Sequence, residues 1–122
     1  MRIKLASLTV DNQEKAVRFY TEVLGFEKRF DIPLGEFRWL TVVSPEGPND
    51  LELVLEPNAN PASRVYQKAL YAEGIPSTSF ESSDIAAEVA RLKASGVSFT
   101  RELTNAGGVT TAVFDDTCGN LV

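Results

Sequence analysis

The chain of 122 residues contains no histidine, which removes the commonest general base near neutral pH and the commonest transition-metal ligand together. It has one cysteine, Cys118, so no intrachain disulfide can form and a reducing, cytoplasmic setting is the default expectation. Basic residues are in deficit. Twelve Lys and Arg against seventeen Asp and Glu leave a net charge of −5, which repels nucleic acid and anionic lipid, so neither is expected as a partner. No apolar run approaches a membrane span, and the opening MRIKLAS has no signal-peptide core.

What is present is ordinary in amount and informative in arrangement. With 43% hydrophobic and 24% charged residues, the chain suits one domain over residues 1–122 with a shared core. From Leu8 to Phe26 the sequence reads LTVDNQEKAVRFYTEVLGF. Ala6, Leu8 and Val10 alternate as the buried face of a strand, and Asp11 or Asn12 caps a helix. Apolar residues at Ala16, Phe19, Tyr20, Val23 and Leu24 give that helix one buried stripe, and Gly25 ends it.

A weaker copy follows in FESSDIAAEVARLKASGV, Phe80 to Val97, where Gly96 answers Gly25. At the same offset Trp39-Leu40-Thr41-Val42 falls on Thr110-Thr111-Ala112-Val113, the pattern of an internal duplication. The predicted repeats are residues 1–56 and 75–122, joined by a linker with a helix over 57–74. In the first, strands are expected at Ile3–Val10, Phe26–Asp31, Phe37–Ser44 and Leu51–Glu56, with a turn at Ile32–Gly35. In the second they are expected at Pro76–Phe80, Val97–Arg101 and Val109–Phe114, with a loop at Thr104–Gly108 and a last short strand at Leu121-Val122. Each repeat is βαβββ, an α+β fold whose mixed sheets carry helices on the outer face and can curl around a concavity on the other.

Alternation nominates residues for that concavity. Ser7, Thr9, Ser77 and Ser79 supply hydroxyls from both repeats, and Glu52 supplies one carboxylate. Phe37, Trp39 and Thr41 can share the cup with Thr110, Ala112 and Phe114, giving it partly aromatic walls. Arg38 has the opposite parity and suits a salt bridge. Cys118 lies in a turn with no histidine to activate it, so no nucleophile is expected.

The segments FYTEVLGF, SPEGPNDLELV and DDTCGNLV together resemble the glyoxalase, bleomycin-resistance and extradiol-dioxygenase superfamily. The resemblance spans essentially the whole chain. It implies paired βαβββ modules forming a cupped sheet, usually in a homodimer, with a small organic molecule or a metal in the cup. In enzymatic members four strand positions supply histidine and glutamate ligands. Here those positions fall at Leu5, Glu52, Ser77 (or Thr78) and at or just past Val122, so one of four matches. A single carboxylate with hydroxyls is too weak a set for zinc, nickel or iron. The expectation is a metal-free small-molecule binder without a bound cofactor, its ligand touching Ser7, Thr9, Trp39, Thr41, Glu52, Ser77, Ser79, Thr110 and Phe114. The alternatives are a metal-dependent lyase, isomerase or dioxygenase, and a non-catalytic interaction protein. No catalytic residue is nominated.

Overall fold

A computed structural model describes residues 1–122. Strand β1 (Leu5–Val10) leads into helix α1 (Gln13–Arg18), which widens into a π-helical turn at Phe19–Val23. Of the two candidate caps Asn12 is the one used, its side-chain oxygen accepting from the Lys15 amide at 2.9 Å. Strands β2 (Glu27–Leu34), β3 (Phe37–Val43) and β4 (Glu52–Pro57) follow. Helix α2 (Pro61–Ala72) links to α3 (Ile85–Ala94), and β5 (Phe99–Ala106) and β6 (Val109–Phe114) close the chain.

The first sheet has the order β1-β4-β3-β2, with β1 and β4 parallel and the other pairs antiparallel. Strand alternation sends Leu8 and Val10, Leu40 and Val42, and Leu55 into one core with Ala16, Val17, Phe19 and Tyr20 of the helix. Between β3 and β4 the ladder closes only at Thr41–Val54 and Val42–Leu53. Beyond it the strands part, and buried Gln13 fills the gap. Its amide donates to the Arg38 carbonyl at 2.7 Å and the Leu55 carbonyl at 2.9 Å, and accepts from the Arg38 amide at 3.0 Å. Arg38 itself pairs with Asp31 and Glu14.

The second module is a shorter version of the first. β5 and β6 form an antiparallel hairpin, and Phe114 exchanges backbone hydrogen bonds with Val122 at 2.9 Å in place of a full fourth strand. Several boundaries differ from expectation. β2 runs on to Leu34, because Ile32 pairs with Trp39 and Leu34 with Phe37, so the turn shrinks to Gly35-Glu36. β5 likewise reaches Ala106, since Thr104, Asn105 and Ala106 pair with Thr111, Thr110 and Val109. No strand forms at Pro76–Phe80. The Ser77 amide does reach the Leu121 carbonyl at 2.9 Å, but the chain then turns so that the Phe80 ring meets Phe26 edge-on at 5.1 Å.

The two modules are joined by a buried polar centre. Asp116 accepts from the Tyr20 hydroxyl and the Asn120 side chain, both at 2.8 Å, and from the Cys118 and Asn120 amides at 2.7 and 2.9 Å. The Asn120 side chain also donates to the Thr9 carbonyl on β1 at 2.9 Å, and Gln67 of α2 donates to that carbonyl and to the carbonyl of Cys118. The turn that delivers these groups depends on Gly119, where φ is +97° and a Cβ would lie 2.8 Å from the Gln67 amide nitrogen.

Gly96 also has positive φ but faces open space, so it isolates the backbone cost. Gly96→Ala should lower stability by about 1 kcal/mol. Gly119→Ala should lose roughly twice that or more, because Gln67 must leave its partners as well. Urea denaturation of the two variants checks the ordering; equal losses would remove Gln67 from the account.

Candidate functional site

The face of the first sheet turned away from α1 is open. One row crosses it: Ser7 of β1 lies beside Val54 of β4, Val54 beside Thr41 of β3, and Thr41 beside Phe30 of β2. The neighbouring rows carry Glu52 beside Leu5, and Trp39 beside Ile32. Trp39 is 36% exposed, Ile32 50% and Leu34 64%, so the β2 edge of the face is apolar and uncovered, while Thr41 and Val54 at its centre are buried.

At its floor sits a buried carboxylate. Glu52 is 4% exposed and accepts from the Thr41 hydroxyl at 2.8 Å, with the Lys4 ammonium 3.4 Å away. Local backbone fixes the direction of that hydroxyl. The β2 ladder slips between Lys28 and Phe30, and the Phe30 amide donates to the Thr41 oxygen at 3.2 Å. With an amide already pointing at it, Thr41 has its own proton free for Glu52.

The other expected contacts do not form one group. The Ser7 hydroxyl donates to Glu56 at 2.6 Å. Ser7, Thr9 and Ser77 line a separate hollow of about 90 Å³ with Tyr66, Gln67 and Asn120, and the Ser77 hydroxyl bonds the Asn120 side-chain oxygen at 3.2 Å. Ser79 borders a third hollow with Phe26, Val42 and Leu53, and Glu52 lines it as well, so these two expected contacts do share a cavity.

Thr110 and Phe114 fall on the opposite face from the one expected. Phe99, three residues past Gly96, pairs with Phe114, as Lys28, three past Gly25, pairs with Val42. Phe114 therefore takes the place of Val42, where the offset from the helices gives that place to Val113. A slip of one residue inverts every side chain of a strand. Accordingly Ala112 borders a cavity together with Val89 and Leu92 of α3, and Phe114 packs 6.2 Å from the Phe19 ring. Thr110 shares their parity and bonds Asn105 at 3.0 Å.

Lys4, Phe30, Ile32 and Leu34 contribute to the open face and were not nominated from sequence. The alternation of Phe30, Ile32 and Leu34 signals the last three, but Pro33 and Gly35 read more strongly as a turn.

The donor set does not fit a transition metal. Leu5 offers no ligand atom, Ser77 is engaged by Asn120, and no three His, Cys, Asp or Glu side chains converge within residues 1–122. Nor is Cys118 a nucleophile: it is fully buried, and burial, reinforced by the Asp116 carboxylate, pushes its thiol up to about 12.

The sequence from residue 2 to 122 matches the Glyoxalase/Bleomycin resistance protein/Dioxygenase superfamily. It is 53% identical over 122 residues to YurT, an uncharacterized protein of Bacillus subtilis (strain 168), covering 100% of this chain and 96% of that one. Among solved structures, UcmS2 superposes with a TM-score of 0.84 at 32% identity, covering 99% of this chain and 94% of the other. TnmS3, an antibiotic binding protein from Streptomyces sp. CB03234, gives 0.75 at 30% identity, covering 99% and 91%. The fold and the open sheet face thus define a βαβββ-repeat protein of the cupped-sheet class. The chain belongs to the glyoxalase, bleomycin-resistance and dioxygenase superfamily. No helix is long and apolar enough to cross a membrane.

The state of Cys118 is directly measurable. At about pH 8 the folded protein should resist a thiol-specific disulfide reagent, whereas the urea-unfolded chain, with an ordinary thiol, should react at once. Rapid labelling of the native chain would contradict the buried, protonated thiol.

Proposed function

We propose that the chain binds a small organic molecule on the open face of its first sheet without a metal ion, and that it carries out no metal-dependent reaction there. The observation that carries this reading is the pairing of a buried, oriented carboxylate with an exposed apolar floor. Glu52 offers acceptor capacity beyond its bond to Thr41, while Trp39, Phe30 and Ile32 offer area. The ligand then presents a donor or a positive charge to Glu52 and lays an apolar body across Trp39. The antibiotic-binding description of TnmS3 supports the same class of function for this chain.

Trp39 is the only tryptophan, so its fluorescence reports on the face directly. A screen of apolar amines should find compounds that quench it saturably. Glu52→Gln and Trp39→Ala should each weaken them about tenfold, in keeping with one charge-assisted bond or one aromatic anchor. Parallel calorimetric titrations with zinc, nickel, iron and manganese should show no tight stoichiometric uptake. Micromolar metal binding abolished by Glu52→Gln would replace this reading with a chelate enzyme.

A homodimer is proposed on the same face. Leu5, Phe30, Ile32, Leu34 and Trp39 leave an apolar surface that a second copy can cover at its margin while closing the cup. Its charge of −5 and lone buried thiol suit a cytoplasmic protein without nucleic-acid partners. Sedimentation should give twice the chain mass, and Ile32→Lys with Leu34→Lys should give monomers that remain folded. A wild-type monomer at micromolar concentration would refute the dimer while leaving ligand binding to its own test.

A further inference from the structure

A second hollow lies on the other side of the molecule, between the end of the first helix, the segment before α3, and α3 itself. Its floor is apolar: Leu24, Phe26, Phe80, Val89 and Leu92 enclose a cavity of about 150 Å³. Phe26 and Phe80 also border an adjoining hollow of about 210 Å³ that runs to the Ala6 end of the sheet. The two rings stand perpendicular, interplanar angle 90°, with centroids 5.1 Å apart, and Tyr20 closes the corner behind Phe80 at 6.4 Å. Phe80 is 40% exposed, so this corner of rings is reached from solvent and offers aromatic surface to a bound group.

The charges around this corner are of one sign. Glu46, Glu81 and Glu88 line the hollow, and no lysine or arginine lines it or its two neighbours. Glu88 is neutralised by Arg91, whose guanidinium also donates to the Val23 carbonyl at 2.8 Å. Glu46 and Glu81 take part in no ion pair. An anionic ligand is repelled there and a neutral one gains only the apolar contact. A cation with an apolar body gains that contact, the ring faces and the two free carboxylates.

We propose that this hollow is a second binding site, separate from the open sheet face, for a small organic cation: a quaternary or protonated amine on an apolar body. The distinction from the first site is geometric. Trp39 lies on the side of the sheet away from α1, whereas Phe26 and Phe80 pack against Tyr20 on the helix side; Glu52 borders the adjoining hollow but does not line this one.

The probe is benzyltrimethylammonium, with benzyl alcohol as a neutral aromatic control, titrated into the ¹⁵N-labelled full chain. Saturable shifts should appear at Gly25, Phe26 and residues 80–89, whether or not the Trp39 indole also moves. Glu46→Gln with Glu81→Gln, both exposed and therefore safe for folding, should weaken the cation about tenfold and leave benzyl alcohol unchanged. Phe80→Leu should weaken the cation while keeping the apolar floor. Equal affinity for the two probes, shifts confined to the Trp39 face, or no saturable shift at up to about 10 mM would each overturn the proposal. Failure of the amine screen at Trp39 would bear on the first site alone.

Discussion

The Asp116 carboxylate is the point through which the two halves of the chain hold each other. It lies at 0% exposure with four donors on two oxygens, drawn from α1's π-turn, from its own turn and from Asn120. Burial pushes its carboxyl above the ordinary value even so, with the four bonds working against that shift. Removing any one donor would leave buried charge uncompensated, which is more costly than the bond is worth on its own. The D-x-x-G-N-L signature is therefore a structural device. Asp116 fastens Tyr20, Gly119 lets the chain pass Gln67, and Asn120 reaches across to β1.

That device fixes the position of β1 and so of everything on the open face. The Thr9 carbonyl receives both Asn120 and Gln67 at 2.9 Å, which anchors the end of β1 against the second module and α2. β1 then sets β4 in parallel register from Leu5–Glu52 to Val10–Pro57. Glu52 is placed by this register and oriented by β3 through Thr41. The first module's floor is thus held from the second module, although no strand of the second sheet pairs with the first.

Most of the architecture was legible because it depends on periodicity and punctuation. The helix α1, its glycine stop, strand β3 and the alternation of β1 follow from patterns that tertiary packing reinforces. What was not legible were the places where two signals compete. Pro33 and Gly35 read as a turn, yet Pro33 sits on an edge strand where its missing amide costs nothing. Thr104 to Gly108 read as a loop through its polarity, yet a two-stranded hairpin needs only partners for its backbone. An offset that fits the two helices does not carry over into the strands. Irregular pairing at Arg101 and again before Thr104 marks where β5 and β6 depart from the regular ladder. Because strand parity has period two, the one-residue difference that seats Phe114 opposite Phe99, ahead of those irregularities, puts Thr110 and Phe114 on the helix side. Glu52, Thr41 and Trp39 escaped the error because they lie within the module where strand parity was read directly.

Two buried carboxylates in this chain differ in what their surroundings leave them able to do. Asp116 has its acceptor capacity filled by four donors held in backbone turns and core side chains, and nothing from solvent can join them. Glu52 has one fixed donor, Thr41, and one ammonium at 3.4 Å on Lys4, whose side chain is 49% exposed and free to swing away. A carboxylate in that condition is kept from water by the strands around it but is not saturated by them, and an incoming donor replaces a loose ion pair at little cost in structure. A scaffold with imidazoles at the neighbouring positions could use the same acid to hold an ion. With leucine and serine at two of those positions, the remaining acceptor capacity of Glu52 is what the proposed ligand's own donor would take up, and the apolar residues at the edge of the face are what its hydrocarbon or aromatic surface would cover.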